Sequence, residues 1–158
     1  MPRFYFEDLL VGDQTTAGEY LVTEEEIVEF ASKWDPEPFH VDRDAAQASV
    51  FEGLTACGTH IIAIRNWLIH RLPDKAHVLA GLGIDELRFA APVRPGDRLS
   101  LTKECLEARP SSSKPDRGIV RNRLTVTNQD GQPVLTTKEA ILVARREPES
   151  PDKEGLYK

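Results

Sequence analysis

At 158 residues, 40% of them hydrophobic and 29% charged, the chain has the size of one domain built around one core. A chain of this length buries roughly 70% of the surface its unfolded form exposes, so small scaffolds that depend on a disulfide or metal staple are set aside. Lys and Arg total 20 against 26 Asp and Glu, a formal charge of -6, and no basic run follows a phosphate backbone or an anionic bilayer; neither nucleic acid nor a membrane is an expected partner.

The N-terminal stretch Phe4-Tyr5-Phe6-Glu7-Asp8 carries acidic residues where a signal peptide needs an unbroken apolar run. Strand content is expected around Gln14 to Val22. A helix follows: Thr23 and Glu26 have capping-box spacing, and Ile27, Phe30, Ala31 and Trp34 recur at helical intervals. It should stop at Asp35, because Pro36 disfavours helical geometry in the residue before it, and Pro38 then makes Asp35 to His40 a stiff loop. A short helix is expected from Asp42 or Asp44, carrying Ala45, Ala46 and Ala48.

A turn-like stretch, Phe51 to Cys57, leads into a third helix expected from Gly58 to about Leu72, where Pro73 ends it. Ile61, Ile62, Ala63, Ile64, Trp67, Leu68 and Ile69 leave this helix little polar surface, so other structure should wrap most of it. Arg65, Asn66, His70 and Arg71 make it too polar and too short to span a bilayer. From His77 onward the period changes to two, with strands expected at 84–93, 98–108, 118–127 and 134–145. Asp130-Gly131 marks a hairpin and Pro110 to Pro115 a longer, mobile loop. Helices followed by antiparallel strands point to an α+β domain, with the sheet wrapped around the buried helix. Residues 1–146 form this single domain, and 147–158, almost entirely polar, form a tail expected to be disordered. Cys57 and Cys105 lack zinc or redox-motif spacing, which suits a reducing compartment, so a cytoplasmic location is expected.

One constellation combines an acid, an imidazole and a rigid connection: Asp35 and His40. Together such groups can orient a water, take its proton and return one, as hydration of a conjugated double bond requires. The blander account makes Asp35 a helix cap and His40 a packed structural histidine. His60 and His70 pair with no other ligand at metal spacing, so no metal site is expected. Cys57, close to a helix start and three residues before His60, is weighed as a nucleophile against the more ordinary role of a small packing residue. Arg88, Arg94 and Arg98 could meet phosphates, but a solvated sheet edge is their expected place.

The stretch Phe30 to His40, with Ala46 after it, resembles the motif of the MaoC-like dehydratases and (R)-specific enoyl-CoA hydratases: an aromatic, then Asp-x-Asn-Pro-x-His, then a small residue six positions on. Asp35, Pro38, His40 and Ala46 fall on it, while Glu37 stands where Asn is usual and Trp34 where many members have Gly. Phe51 to Gly58 is similar to the family's segment leading into the central helix, with Glu52 in place of a glycine, and Leu87 to Asp97 to its "xxFxxPVxxGD" strand and turn. The resemblance implies a hot-dog fold, an antiparallel sheet wrapped around a long central helix. It implies Asp35 and His40 as the catalytic pair, and a trans-2-enoyl thioester of coenzyme A as substrate, with no cofactor beyond the coenzyme A that the substrate itself carries. Ala63 aligns with a serine that some family hydratases carry. Gly58, at the start of the central helix, is expected to bind substrate as an oxyanion donor, since a helix N-terminus presents free amides and a positive dipole; a plain turn glycine is the alternative. On the same scaffold an acyl-CoA thioesterase or a non-catalytic acyl-CoA-binding protein remains an alternative function. A homodimer or higher homo-oligomer is expected, because a single curled sheet leaves an open edge.

Overall fold

The computed structural model describes residues 3–147; the polar tail expected at 147–158 lies outside the described residues beyond Glu147. A short 3₁₀ turn, Phe6–Asp8, precedes strand β1 (Gln14–Leu21), which fills the expected position. Helix α1 (Glu24–Trp34) starts where Thr23 accepts the Glu26 N–H, and Glu24, Glu25 and Glu26 complement the positive end of its dipole. Only half of the expected capping box is its purpose here: the Glu26 carboxylate accepts instead from the Tyr20 hydroxyl, 2.5 Å away. Ile27 and Ala31 form the buried stripe, and Asp35 closes the helix by donating its N–H to the Ala31 carbonyl.

Between Asp35 and His40 the structure corrects the expected loop. Pro38–Val41 forms one helical turn, α2, with Pro38 in the first position, where a missing N–H costs nothing. Helix α3 (Arg43–Gln47) follows at once, capped by Asp42, whose Oδ1 accepts from the Ala45 N–H at 2.9 Å. The buried helix α4 (Gly58–Ile69) begins where expected but ends three residues early. Arg71 and Leu72 donate to the carbonyls of Leu68 and Ile69, a tighter i to i−3 pattern, so the apolar periodicity outlasts the helix. Its wrapping is also less complete than expected: Thr59, Ala63 and Asn66 are exposed along its outer side.

The remaining strands are β2 (Val78–Phe89), β3 (Arg98–Pro110), β4 (Arg117–Thr127) and β5 (Pro133–Ala144). They join β1 in one antiparallel sheet of order β1-β3-β4-β5-β2. Strand β2 starts six residues before the expected one and stops before Ala90. Gly81 and Gly83 hide the period-two pattern, and its pairing with β5 shifts register three times. As an edge strand it leaves Val78, Leu79, Leu82, Ile84 and Phe89 each about half exposed. Pro110, expected in a loop, closes β3, and Gly131 at φ +74 turns β4 into β5, as the Asp-Gly pair predicts.

The core lies between α4 and the sheet: Ile61, Ile64 and Leu68 pack against Leu99, Leu101, Leu124, Val126 and Leu135, with Ile27 of α1 joining them. Burial of such side chains contributes about 1.5–3 kcal/mol each. One charge crosses this interface. Arg65 of α4, almost wholly buried, donates to Thr137 Oγ1 at 3.1 Å and to Glu139 Oε2 at 2.8 Å, and Asn122 donates to the other Glu139 oxygen. Nearby, Lys103 pairs with Asp74 at 2.6 Å, both largely buried.

Candidate functional site

The end of α1 and the turn α2 bring Asp35 and His40 together. Asp35 caps α1 with its carboxylate partly open to solvent, while His40, in the last turn of α2, is buried. His40 Nε2 faces Asp35 Oδ2 at 3.8 Å. That is too long for a direct hydrogen bond, yet short enough for one oxygen atom to contact both groups.

The other ring nitrogen settles the proton's place. His40 Nδ1 lies 2.6 Å from the Thr55 carbonyl, which can only accept, so Nδ1 carries hydrogen and Nε2 is the ring atom turned to Asp35. Phe39 meets the His40 ring edge-on, with centroids 4.5 Å apart, and Phe51 packs behind Phe39. This leaves His40 little rotational freedom.

His40 and Thr55 line a cavity of about 330 Å³ together with Gly58, Ile61, Phe89 and Pro92. Gly58 is the first residue of α4, so its N–H has no acceptor within the helix. A Cβ on Gly58 would sit 2.6 Å from the Phe89 ring; absence of a side chain is what admits Phe89 to the cavity wall. Of the three expected residues, His40 and Gly58 line this cavity, whereas Asp35 is not part of its wall and meets the site only through its 3.8 Å approach to His40. Ala63, on the exposed side of α4, does not line this cavity.

The Cys57 and His60 pair weighed as a nucleophile and base is differently engaged. Cys57 is fully buried, its Sγ 3.5 Å from Thr59 Oγ1. The His60 ring stacks on Phe30 and points Nε2 at Glu26 Oε1, 3.2 Å away and out of line for a hydrogen bond. Burial, followed by the hydrogen bond to Glu26, pushes the neighbouring Tyr20 phenol up to about 12. Arg98 pairs with Glu19 at an exposed edge. Arg94 does not stand at such an edge: its guanidinium turns inward onto backbone carbonyls of the segment before α4. No sequence pattern signals that contact, nor the Thr55 carbonyl, since main-chain acceptors carry no residue type. A larger cavity, about 540 Å³, lies beyond the other end of α4 beside His70, Lys103 and Asn122. Among the described residues no helix is long and apolar enough to cross a membrane.

Comparison with known proteins adds the following. The family model described as MaoC like domain matches residues 10–128. A crystal structure of a MaoC-like dehydratase from Rhodospirillum rubrum is 36% identical, with a TM-score of 0.84, covering 92% of this chain and 99% of that one. An (R)-specific enoyl-CoA hydratase, also from Rhodospirillum rubrum, is 28% identical over 144 residues, 90% of this chain and 93% of its own length. A conserved hypothetical protein from Mycobacterium tuberculosis, described as a double hot-dog fold, superposes with a TM-score of 0.74 at 21% identity, covering 94% of this chain and 46% of that one.

Proposed function

Because the chain belongs to the MaoC-like domain family and has the hot-dog fold, we propose that it is an (R)-specific 2-enoyl-CoA hydratase, adding water reversibly to a trans-2-enoyl thioester. The observation that carries this reading is the Asp35–His40 pair, 3.8 Å apart, with the ring's other nitrogen tied to the Thr55 carbonyl. Asp35 holds and polarises a water, and His40 takes part in its proton transfer. The water oxygen bonds to C3, one proton is delivered to C2, and the electrons of the double bond pass through an enolate-like thioester oxygen. In this reading the Gly58 N–H, which has no acceptor within α4, and the positive end of the α4 dipole stabilise that oxygen. The reaction needs no cofactor, coenzyme A being part of the substrate.

The enoyl-thioester absorbance tests the reading. Its loss on adding protein to crotonyl-CoA or longer homologues is the expected result, whereas release of free thiol, read with a disulfide reagent, would identify a hydrolase instead. Asp35→Ala and His40→Ala should each lower hydration at least about 10²-fold, within the range a positioned acid or base contributes.

The active unit we propose is a homodimer in the cytoplasm. The half-exposed apolar residues of β2 make an open edge that a second copy can cover. Sedimentation at micromolar concentration is expected to give a species larger than the 17.7 kDa chain.

A further inference from the structure

We infer that Arg94 is a positioning residue for the proposed hydration, acting through the backbone that orients His40 rather than by touching substrate; the inference rests on the hydratase reading. Arg94 sits in the tight turn between β2 and β3, which is itself well tied. The Arg94 N–H donates to Asp97 Oδ2 at 2.8 Å, Gln129 donates to Asp97 Oδ1 at 3.0 Å, and Asp97 is buried. From this anchored base the guanidinium reaches the segment before α4. Nη1 donates to the Gly53 carbonyl at 2.9 Å and stands 3.5 Å from that of Leu54, while Nη2 donates to the Phe51 carbonyl. Gly53 leaves room for the approach, since a Cβ there would sit 3.1 Å from Nη1 and push it slightly aside.

The residue after this cluster is Thr55, whose carbonyl holds His40 Nδ1. Its own N–H donates to the Phe39 carbonyl at 3.4 Å, and the Ala56 N–H donates to the Val93 carbonyl, next to Arg94, at 2.9 Å. Two residues further on α4 begins, with Gly58 in its first position. A planar, rigid fork of five donors can hold several carbonyls at once; a lysine ammonium on a flexible stem cannot reproduce that geometry. Arg94 therefore fixes the path of residues 51–54, and through them the Thr55 carbonyl that selects the His40 tautomer. With Nη1 and Nη2 both on backbone carbonyls, the guanidinium is engaged by the protein's own chain and not by a solvated sheet edge.

Two substitutions test this, Arg94→Gln and the milder Arg94→Lys, the second keeping the measurement open should the first not fold. Both are read by steady-state kinetics on an enoyl-CoA and by ¹⁵N shifts of the His40 ring. A displacement of about 1 Å near a reacting centre can cost roughly 10²-fold. The expectation is a kcat lowered roughly 10- to 100-fold with KM within a few-fold of wild type, and a His40 ring that no longer holds its proton only on Nδ1. A raised KM with unchanged kcat would make Arg94 a substrate contact and overturn the inference. So would a lowered melting temperature with kcat and the ring spectrum both unchanged. The ring spectrum needs no turnover, so an Arg94 effect on His40 remains measurable even if no enoyl thioester is hydrated, and that result would fail the hydratase reading alone.

Discussion

The Thr55 carbonyl accepts the Nδ1 proton of His40 across 2.6 Å, a bond that a shorter amide side chain can imitate. In His40→Asn, the amide nitrogen falls near the place of Nδ1 and can donate to the same carbonyl. His40→Ala leaves that acceptor, on a residue only 3% exposed, without its donor, a loss of about 1–3 kcal/mol. Thermal melts should therefore place His40→Asn closer to wild type than His40→Ala, while the two lose a similar share of hydratase turnover, roughly 10²- to 10⁴-fold.

Gly58 leaves a gap for Phe89, and the proposed hydration also asks its N–H to act as a donor. Gly58→Ala pushes a methyl against the Phe89 ring and should lower both stability and turnover. Combined with Phe89→Ala, the clash is gone and the amide is still present. Turnover of the double variant is then expected to return to within a few-fold of Phe89→Ala alone. Full loss persisting in a folded double variant, followed by crotonyl-CoA hydration, would count against the amide.

Cys57, at the residue before α4, is fully buried and makes no side-chain cap to the helix. Cys57→Ala should leave turnover unchanged, and alkylation of the native protein should be slow, because a buried thiol in apolar surroundings is inert. Mass spectrometry after brief treatment with an alkylating reagent checks the second point.

Away from His40, the Tyr5 N–H donated to Asp8 holds that carboxyl below the ordinary aspartate range; burial pushes the other way, and Arg146, whose Nη2 donates to both carboxylate oxygens, adds to the lowering. A carboxyl whose folded pKa is depressed contributes stability above its unfolded value, about 3.9, and loses it as pH falls through the folded value. Melting temperature should drop for wild type as pH is lowered below about 4, and Asp8→Asn should be less stable at neutral pH with a shallower acid limb.

Much of this architecture is legible in the sequence because its causes are local. Thr23 and the acidic first turn start α1, Pro36 ends it, and the alternation in β3 and β4 exposes their buried faces. Where the reading slipped, a tertiary contact intervened. Glu26 left the capping box for Tyr20 and His60. Strand β2 has no single buried face, since Val78 to Ile84 are all exposed, so periodicity could not mark its start. Asp35 and His40 could be read from their spacing, whereas the Thr55 carbonyl and the inward turn of Arg94 could not, because both depend on the distance between segments far apart in the chain.

The Arg65–Glu139 contact gives a last test and a wider consequence. Arg65→Met strips a buried carboxylate of its cation and should cost roughly 3–5 kcal/mol in denaturant unfolding. Replacing both partners by apolar residues should cost much less. A helix as uniformly apolar as α4 could rotate or slide by a turn in its trough while burying nearly the same area. With Arg65 in place, only one setting brings its guanidinium to Thr137 and Glu139, and every other strands two charges out of water. The ion pair thus selects a single alignment of helix on sheet, and with it the depth at which Gly58, seven residues up the same helix, meets the cavity beside His40.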